Sequence, residues 1–161
     1  MKEIVMVPKD RTAVIKSKDT KDRFESKLNI KISVVDNAVE IDGEDGLNLY
    51  QGRIIIKAIA RGFSPERAQK LLEEEAQFEI IDMGNLTDRK MKTIKSRIIG
   101  TGGKMREAIE IGSKSLVSVY GKTISLIGTY EQNKIAKKAI KLIMDGAMLT
   151  SVKRFLLKSM T

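Results

Sequence analysis

The chain has 161 residues, 42% hydrophobic and 32% charged, with no cysteine and no histidine. That is enough apolar material for one ordinary domain or two small ones, and the composition is too balanced for disorder. The missing residue types exclude disulfides, cysteine-ligated metal centres, and serine–histidine or cysteine–histidine catalysis.

The net charge of +9 is unevenly spread. Residues 1–83 carry 14 Lys and Arg against 16 Asp and Glu, a net of −2; residues 84–161 carry 16 against 5, a net of +11. A lysine-rich surface alone does not demand this asymmetry, which points to a polyanionic partner for the second half, most often nucleic acid.

In chain order, "EIVMVP" reads as a strand, too short for a signal peptide. "DRTAVI" reads as a short helix. "TKDRFESKL" reads as a second, with Phe24 and Leu28 on one face. "IKISVV" and "AVEID" are strands joined by the turn "DN". A longer helix, "GLNLYQGRIIIKAIARGF", ends near Gly62, and Ser64–Pro65 opens another over "PERAQKLLEEE". Glu44 and Asp45 beside Asp42 read as a solvated turn, since no other metal ligands converge on them.

From residue 77 the pattern begins again. "QFEIIDM" is a strand. Thr87 caps "DRKMKTIKSRII", whose Met91, Ile94 and Ile98 share one face. "KMREAIE" is a short helix, and "SLVSVY" and "KTISLIG" are strands about a turn at Tyr120–Gly121. Thr129 with Gln132 forms a capping box for "EQNKIAKKAIKLIMD", Gly146 ends that helix, and "SVKRFLLKSM" is a short terminal one. No apolar run approaches the roughly 18 residues of a membrane span. A soluble, cytoplasmic protein is expected.

Both halves therefore read strand, helix, helix, strand, strand, helix, with Ile15 and Ile99 as matching markers. They differ between the two short helices. The second half has Gly100-Thr101-Gly102-Gly103 there, followed by Lys104 and Arg106; the first has "KSKDTK". Glycines reach positive φ cheaply and allow close backbone approach, and a helix start offers unpaired N–H groups to an anion. Cations in a first turn oppose the helix dipole by about 0.3–1 kcal/mol each, a local conflict that suggests a ligand.

Other glycine motifs fit worse. A Walker A loop needs Gly at position 98 and Ser or Thr at 105, and the dinucleotide fingerprint needs Gly at 105; the residues are Ile98 and Met105. A helix-hairpin-helix DNA module usually has an apolar residue where Thr101 stands. The best match is the KH module, whose GxxG loop joins two helices and clamps about four nucleotides by their backbone.

On these residues the chain resembles the Dim-two or Partner-of-Nob-one family of double-KH proteins, across nearly its whole length and most clearly from residue 52 onward. The resemblance implies an α+β fold of two tandem type I KH domains, residues 1–76 with a glycine-free loop and a linker helix, and 77–161 with the GxxG loop and a C-terminal helix. It implies a non-enzymatic role on small-subunit precursor rRNA near its 3′ end. It also implies partnership with a PIN-domain endonuclease, and contact with the alpha subunit of initiation factor two. The candidate RNA-binding residues are Arg97, Ile98, Gly100, Thr101, Gly102, Gly103, Lys104 and Arg106; no cofactor or metal is expected. Lys16 and Asp19 occupy the loop-glycine positions of the first repeat, which suggests a brace for the second, a hold on a protein partner, or a decayed repeat kept only for packing. The competing classes are a magnesium-dependent nuclease and a DNA-binding module. The five acids of the basic half show no paired spacing for the former.

Overall fold

A computed structural model describes all 161 residues. It contains eight α-helices and two three-stranded antiparallel sheets, in two compact units, residues 1–74 and 75–161.

The first unit runs β1 (Lys2–Met6), α1 (Thr12–Lys16), α2 (Lys18–Leu28), β2 (Ile30–Val35), β3 (Ala38–Gly43), α3 (Gly46–Ala60) and α4 (Pro65–Ala68). β3 is central, paired with β1 through Val5–Val39 and with β2 through Ile32–Ile41. Alternation along these strands buries Val5, Ile32, Val39 and Ile41. Asp45 is an N-cap, its carboxylate accepting the N–H groups of Leu47 and Asn48 at the start of α3. Its acidity serves the helix. The helix expected over residues 65–75 is shorter: α4 gives way to a 3-10 turn over Gln69–Leu72, and Glu73 is extended. Three consecutive glutamates would bring negative charge to the negative end of a helix.

The second unit runs β4 (Gln77–Asp82), α5 (Asp88–Ile99), α6 (Lys104–Ser113), β5 (Leu116–Tyr120), β6 (Thr123–Gly128), α7 (Tyr130–Met144) and α8 (Leu149–Ser159). β6 is central between β4 and β5. The hairpin turns on Gly121–Lys122, one residue later than the pattern suggested, with Gly121 at φ 54°. Thr129 and Gln132 form the expected capping box. The core joins Ile98, Met105, Ile109, Val117, Ile124, Leu126, Ile140 and Ile143, all buried.

The units share details that element order alone does not require. Glu25 accepts the backbone N–H of Ile32 at 2.8 Å, and Glu110 accepts that of Val117 at 2.8 Å, each seven residues ahead. Asn29 and Lys114 end the equivalent helices in the left-handed region. Burial also corrects the register. Ile15 and Ile98 are both 0% exposed, and each stands two residues before the one that ends its helix, Ser17 and Gly100. Ile15 therefore matches Ile98 rather than Ile99, and the second loop is two residues longer than the first.

Candidate nucleic-acid interface

α5 stops because Gly100 adopts φ 74°, ψ 175°, a conformation open essentially to glycine alone. A Cβ there would lie 2.7 Å from the Cβ of Met105 and 2.9 Å from its backbone nitrogen. Gly100 thus lets the start of α6 fold back against the end of α5. Gly103 N–H donates to the Gly100 carbonyl at 3.2 Å, closing the loop. Gly102 (φ 62°) and Gly103 (φ 76°) are also left-handed, but a Cβ on either would meet nothing within 4 Å. Their surroundings are open, as a backbone-to-backbone approach by a ligand requires.

Gly103 is the N-cap residue of α6 and has no side chain with which to cap it. Within the same unit Thr87 caps α5 and Thr129 caps α7 by accepting backbone N–H groups. The start of α6 thus lacks the hydroxyl acceptor that α5 and α7 have, with the positive end of the helix dipole behind it. A phosphate oxygen supplies such an acceptor and the complementary charge. Exposed Lys104 stands beside this opening, as does exposed Thr101.

The other candidates divide. Ile98 is 0% exposed inside the core, so it packs against other side chains and cannot touch RNA; this corrects the expectation. Its neighbour Ile99 is half-buried, as is Val119, whereas Ile109 and Val117 are core. Of these four apolar residues, Ile99 and Val119 are the two that reach the surface. Arg97 is tied into the fold. Its guanidinium donates to the Ile143 carbonyl at 2.7 Å and to that of Ala147, bracing the C-terminal end of α7 against α5. Cations are favourable at that end of a helix. Arg106 is part-buried, donates to the Val117 carbonyl at 3.3 Å and lies 4.0 Å from Glu110. It is held along α6 and β5, with its side chain still 39% exposed. Lys95 donates to the Gly121 carbonyl at 2.8 Å, tying α5 to the β5–β6 turn.

Glu110 is the residue the motif did not reveal. By holding Val117 and facing Arg106 it fixes both the start of β5 and one cation. The signal was present in the chain, since Glu25 and Ile32 have the same spacing. On α7, Lys137 pairs with Glu79 at 2.7 Å and Lys141 with Asp145 at 3.4 Å, while Lys134 and Lys138 are exposed.

Residues 77–161 match the family model described as eukaryotic type KH-domain (KH-domain type I). Over nearly the full chain, the protein is 40% identical to Dim2p from Pyrococcus horikoshii, with a TM-score of 0.90, covering 98% of this chain and 99% of that one. The protein belongs to the Dim-two/Partner-of-Nob-one family of KH-domain proteins. A second Pyrococcus horikoshii structure, of a complex of a/eIF2alpha, aDim2p and rRNA, matches at 40% identity and a TM-score of 0.89, covering 98% and 93%. A KH domain-containing protein of Methanocaldococcus jannaschii is 37% identical over 96% of this chain and 72% of its own length. The Gly100–Gly103 turn lies within the matched residues, between α5 and α6.

Proposed function

We propose that the protein is a non-catalytic RNA-binding adaptor that grips single-stranded small-subunit rRNA, or its precursor, near the 3′ end. The observation that carries this reading is the near full-length likeness to a Pyrococcus protein crystallised with rRNA and a/eIF2alpha. The loop geometry supports a mechanism. Gly102 and Gly103 admit the phosphate backbone, the start of α6 supplies N–H groups, and Lys104 adds charge. Gly100 and Thr101 hold the loop's shape and rim, and Arg106 lies beside the floor. Because aromatic residues make up 4% of the chain, backbone capture outweighs base stacking.

In this reading residues 1–76 form a first KH domain with a degenerate loop and residues 77–161 a second with the working loop. The shared sheet order and the Glu25–Ile32 and Glu110–Val117 bonds support the duplication. The first domain holds a protein partner. The alpha subunit of initiation factor two and a PIN-domain endonuclease are the proposed protein partners, and ribosome maturation in the cytoplasm is the setting. The basic half brings no acidic cluster together, which favours an adaptor over a nuclease.

Crosslinking the protein to total cellular RNA tests the reading. Crosslinks should concentrate at the 3′ end of small-subunit rRNA and meet at the Gly100–Lys104 loop. Crosslinks distributed in proportion to RNA abundance would overturn it. Incubation with RNA and magnesium should leave the RNA intact, and a DNA strand of the same sequence should compete poorly.

A further inference from the structure

α6 and α8 cross where Gly112 meets Leu156. A Cβ on Gly112 would lie 2.8 Å from the Cβ of Leu156, so only the missing side chain lets the helices approach this closely. Beside the crossing runs a groove of about 270 Å³, lined by Ala108, Ile111, Gly112, Lys153, Leu157 and Met160 together with Leu156. Ile111 is 56% exposed, Leu157 66% and Met160 54%. Large apolar residues exposed singly are ordinary; three around one apolar groove mark a contact surface. Lys153, Leu157 and Met160 stand at i, i+4 and i+7, so they form one edge of α8. None of these residues takes part in the proposed RNA clamp.

We propose that this groove docks an amphipathic helix of a protein partner, with bulky apolar side chains in the groove and carboxylates beside them. Three observations select this occupant. First, the groove is apolar and lies between two helices, where anchors at i, i+3, i+4 and i+7 fit. Second, the rim is cationic. α8 carries Lys153, Arg154 and Lys158 and no acid, and Lys104 precedes Ala108 by one turn of α6; Glu107 is the one exposed acid nearby. A second copy in a two-fold arrangement would set α8's cations against themselves, whereas an acidic helix complements them. Third, no aromatic side chain lines the groove for a base to stack on, so single-stranded RNA gains little there. Because α6 carries the proposed clamp at its first turn and the groove along its edge, a docked helix lies close to the bound RNA.

The probe is a designed amphipathic peptide of about 18 residues, long enough to form a helix, with a leucine stripe flanked by glutamates. Titrated into the full-length protein, it should shift the methyl signals of Ile111, Leu157 and Met160. Leu157→Glu should weaken it at least tenfold while leaving RNA affinity and thermal stability unchanged, because Leu157 is exposed. Lys134→Glu, which reverses a charge on α7, should retain binding. The proposal is overturned by absence of binding, by methyl shifts confined to other surfaces, or by equal affinity for a lysine-flanked peptide. Loss of RNA affinity in Leu157→Glu would assign the face to RNA instead. Concentration-dependent self-association abolished by Leu157→Glu would assign it to a second copy. Failure of the RNA reading itself would appear separately, as wild-type protein that does not bind rRNA but still binds the peptide.

Discussion

The two helix–helix junctions solve the same problem with opposite chemistry. Between α1 and α2 a single residue, Ser17, turns the chain at φ −61° and ψ 150°. Its hydroxyl accepts from Thr20 N–H at 3.3 Å and donates to the Val14 carbonyl at 2.7 Å, and Thr20 donates to that same carbonyl at 2.7 Å. Asp19 is paired with Arg23 at 2.8 Å. The junction satisfies its own polar groups. Between α5 and α6 four residues make the turn, three of them glycines at positive φ, and no side chain caps α6. A junction that caps itself has little to offer a phosphate; one that leaves its helix start without a side-chain acceptor has N–H groups to give. What makes the second loop a candidate clamp is as much the absent serine as the glycines present.

The comparison breaks most visibly at Gly100. Gly100→Ala places a Cβ at 2.7 Å from Met105 in a glycine-only conformation and should cost about 2–4 kcal/mol of unfolding free energy. Gly103→Ala, left-handed but with open space around it, should cost about 1 kcal/mol. Urea denaturation of the two variants checks this; equal losses would mean that the helix approach does not depend on Gly100.

A pair of charge insertions sharpens the functional contrast. Thr101→Asp with Gly102→Asp should weaken RNA binding at least tenfold, about 1.4 kcal/mol, while the domain stays folded, since both positions are exposed. Ser17→Asp with Lys18→Asp should leave affinity within about threefold, and Asp remains a good N-cap. Anisotropy titrations against one rRNA fragment compare them. Comparable losses would show that both junctions bind nucleic acid.

Ser17→Ala tests the self-capping account directly. It should destabilise the protein by about 1 kcal/mol and leave RNA affinity unchanged. A stability unaffected by the substitution would remove the capping role.

The smallest effect is electrostatic. Lys104→Ala should flatten the dependence of log affinity on log salt by about 0.7, the contribution of one phosphate contact on a single strand. Lys18→Ala should leave the slope unchanged. Arg106→Ala should change it less than Lys104→Ala, because its guanidinium is engaged with Val117 and Glu110.

Much of this architecture is legible in the chain itself. Period-two and helical patterns mark six strands and most helices, and Thr87, Thr129 and Ser64 announce helix starts through side chains that act on residues only three ahead. The glycine run with its cations marks the candidate site for the same reason: a turn's geometry depends on a few consecutive residues. Ser17 was equally readable as an N-cap, yet the helix was expected to begin at Thr20. The negative end of α4 against Glu73–Glu75 likewise lay open to inspection.

Tertiary structure decided what depends on partners distant in sequence. Ile98 and Ile99 are adjacent and chemically identical, and only the packing of α5 on α6 and α7 makes one core and the other half-exposed. Arg97 reads as a loop cation, but its partners are carbonyls 46 and 50 residues away. Arg106 and Glu110 acquire their roles from Val117 on a strand, and the apolar groove exists because Gly112 admits Leu156 from a helix more than forty residues later. Local φ/ψ preference and hydrogen bonds within a turn are written in neighbouring residues. Which face of a helix meets water, and which cation is already engaged, is set by contacts that form only when the chain closes on itself.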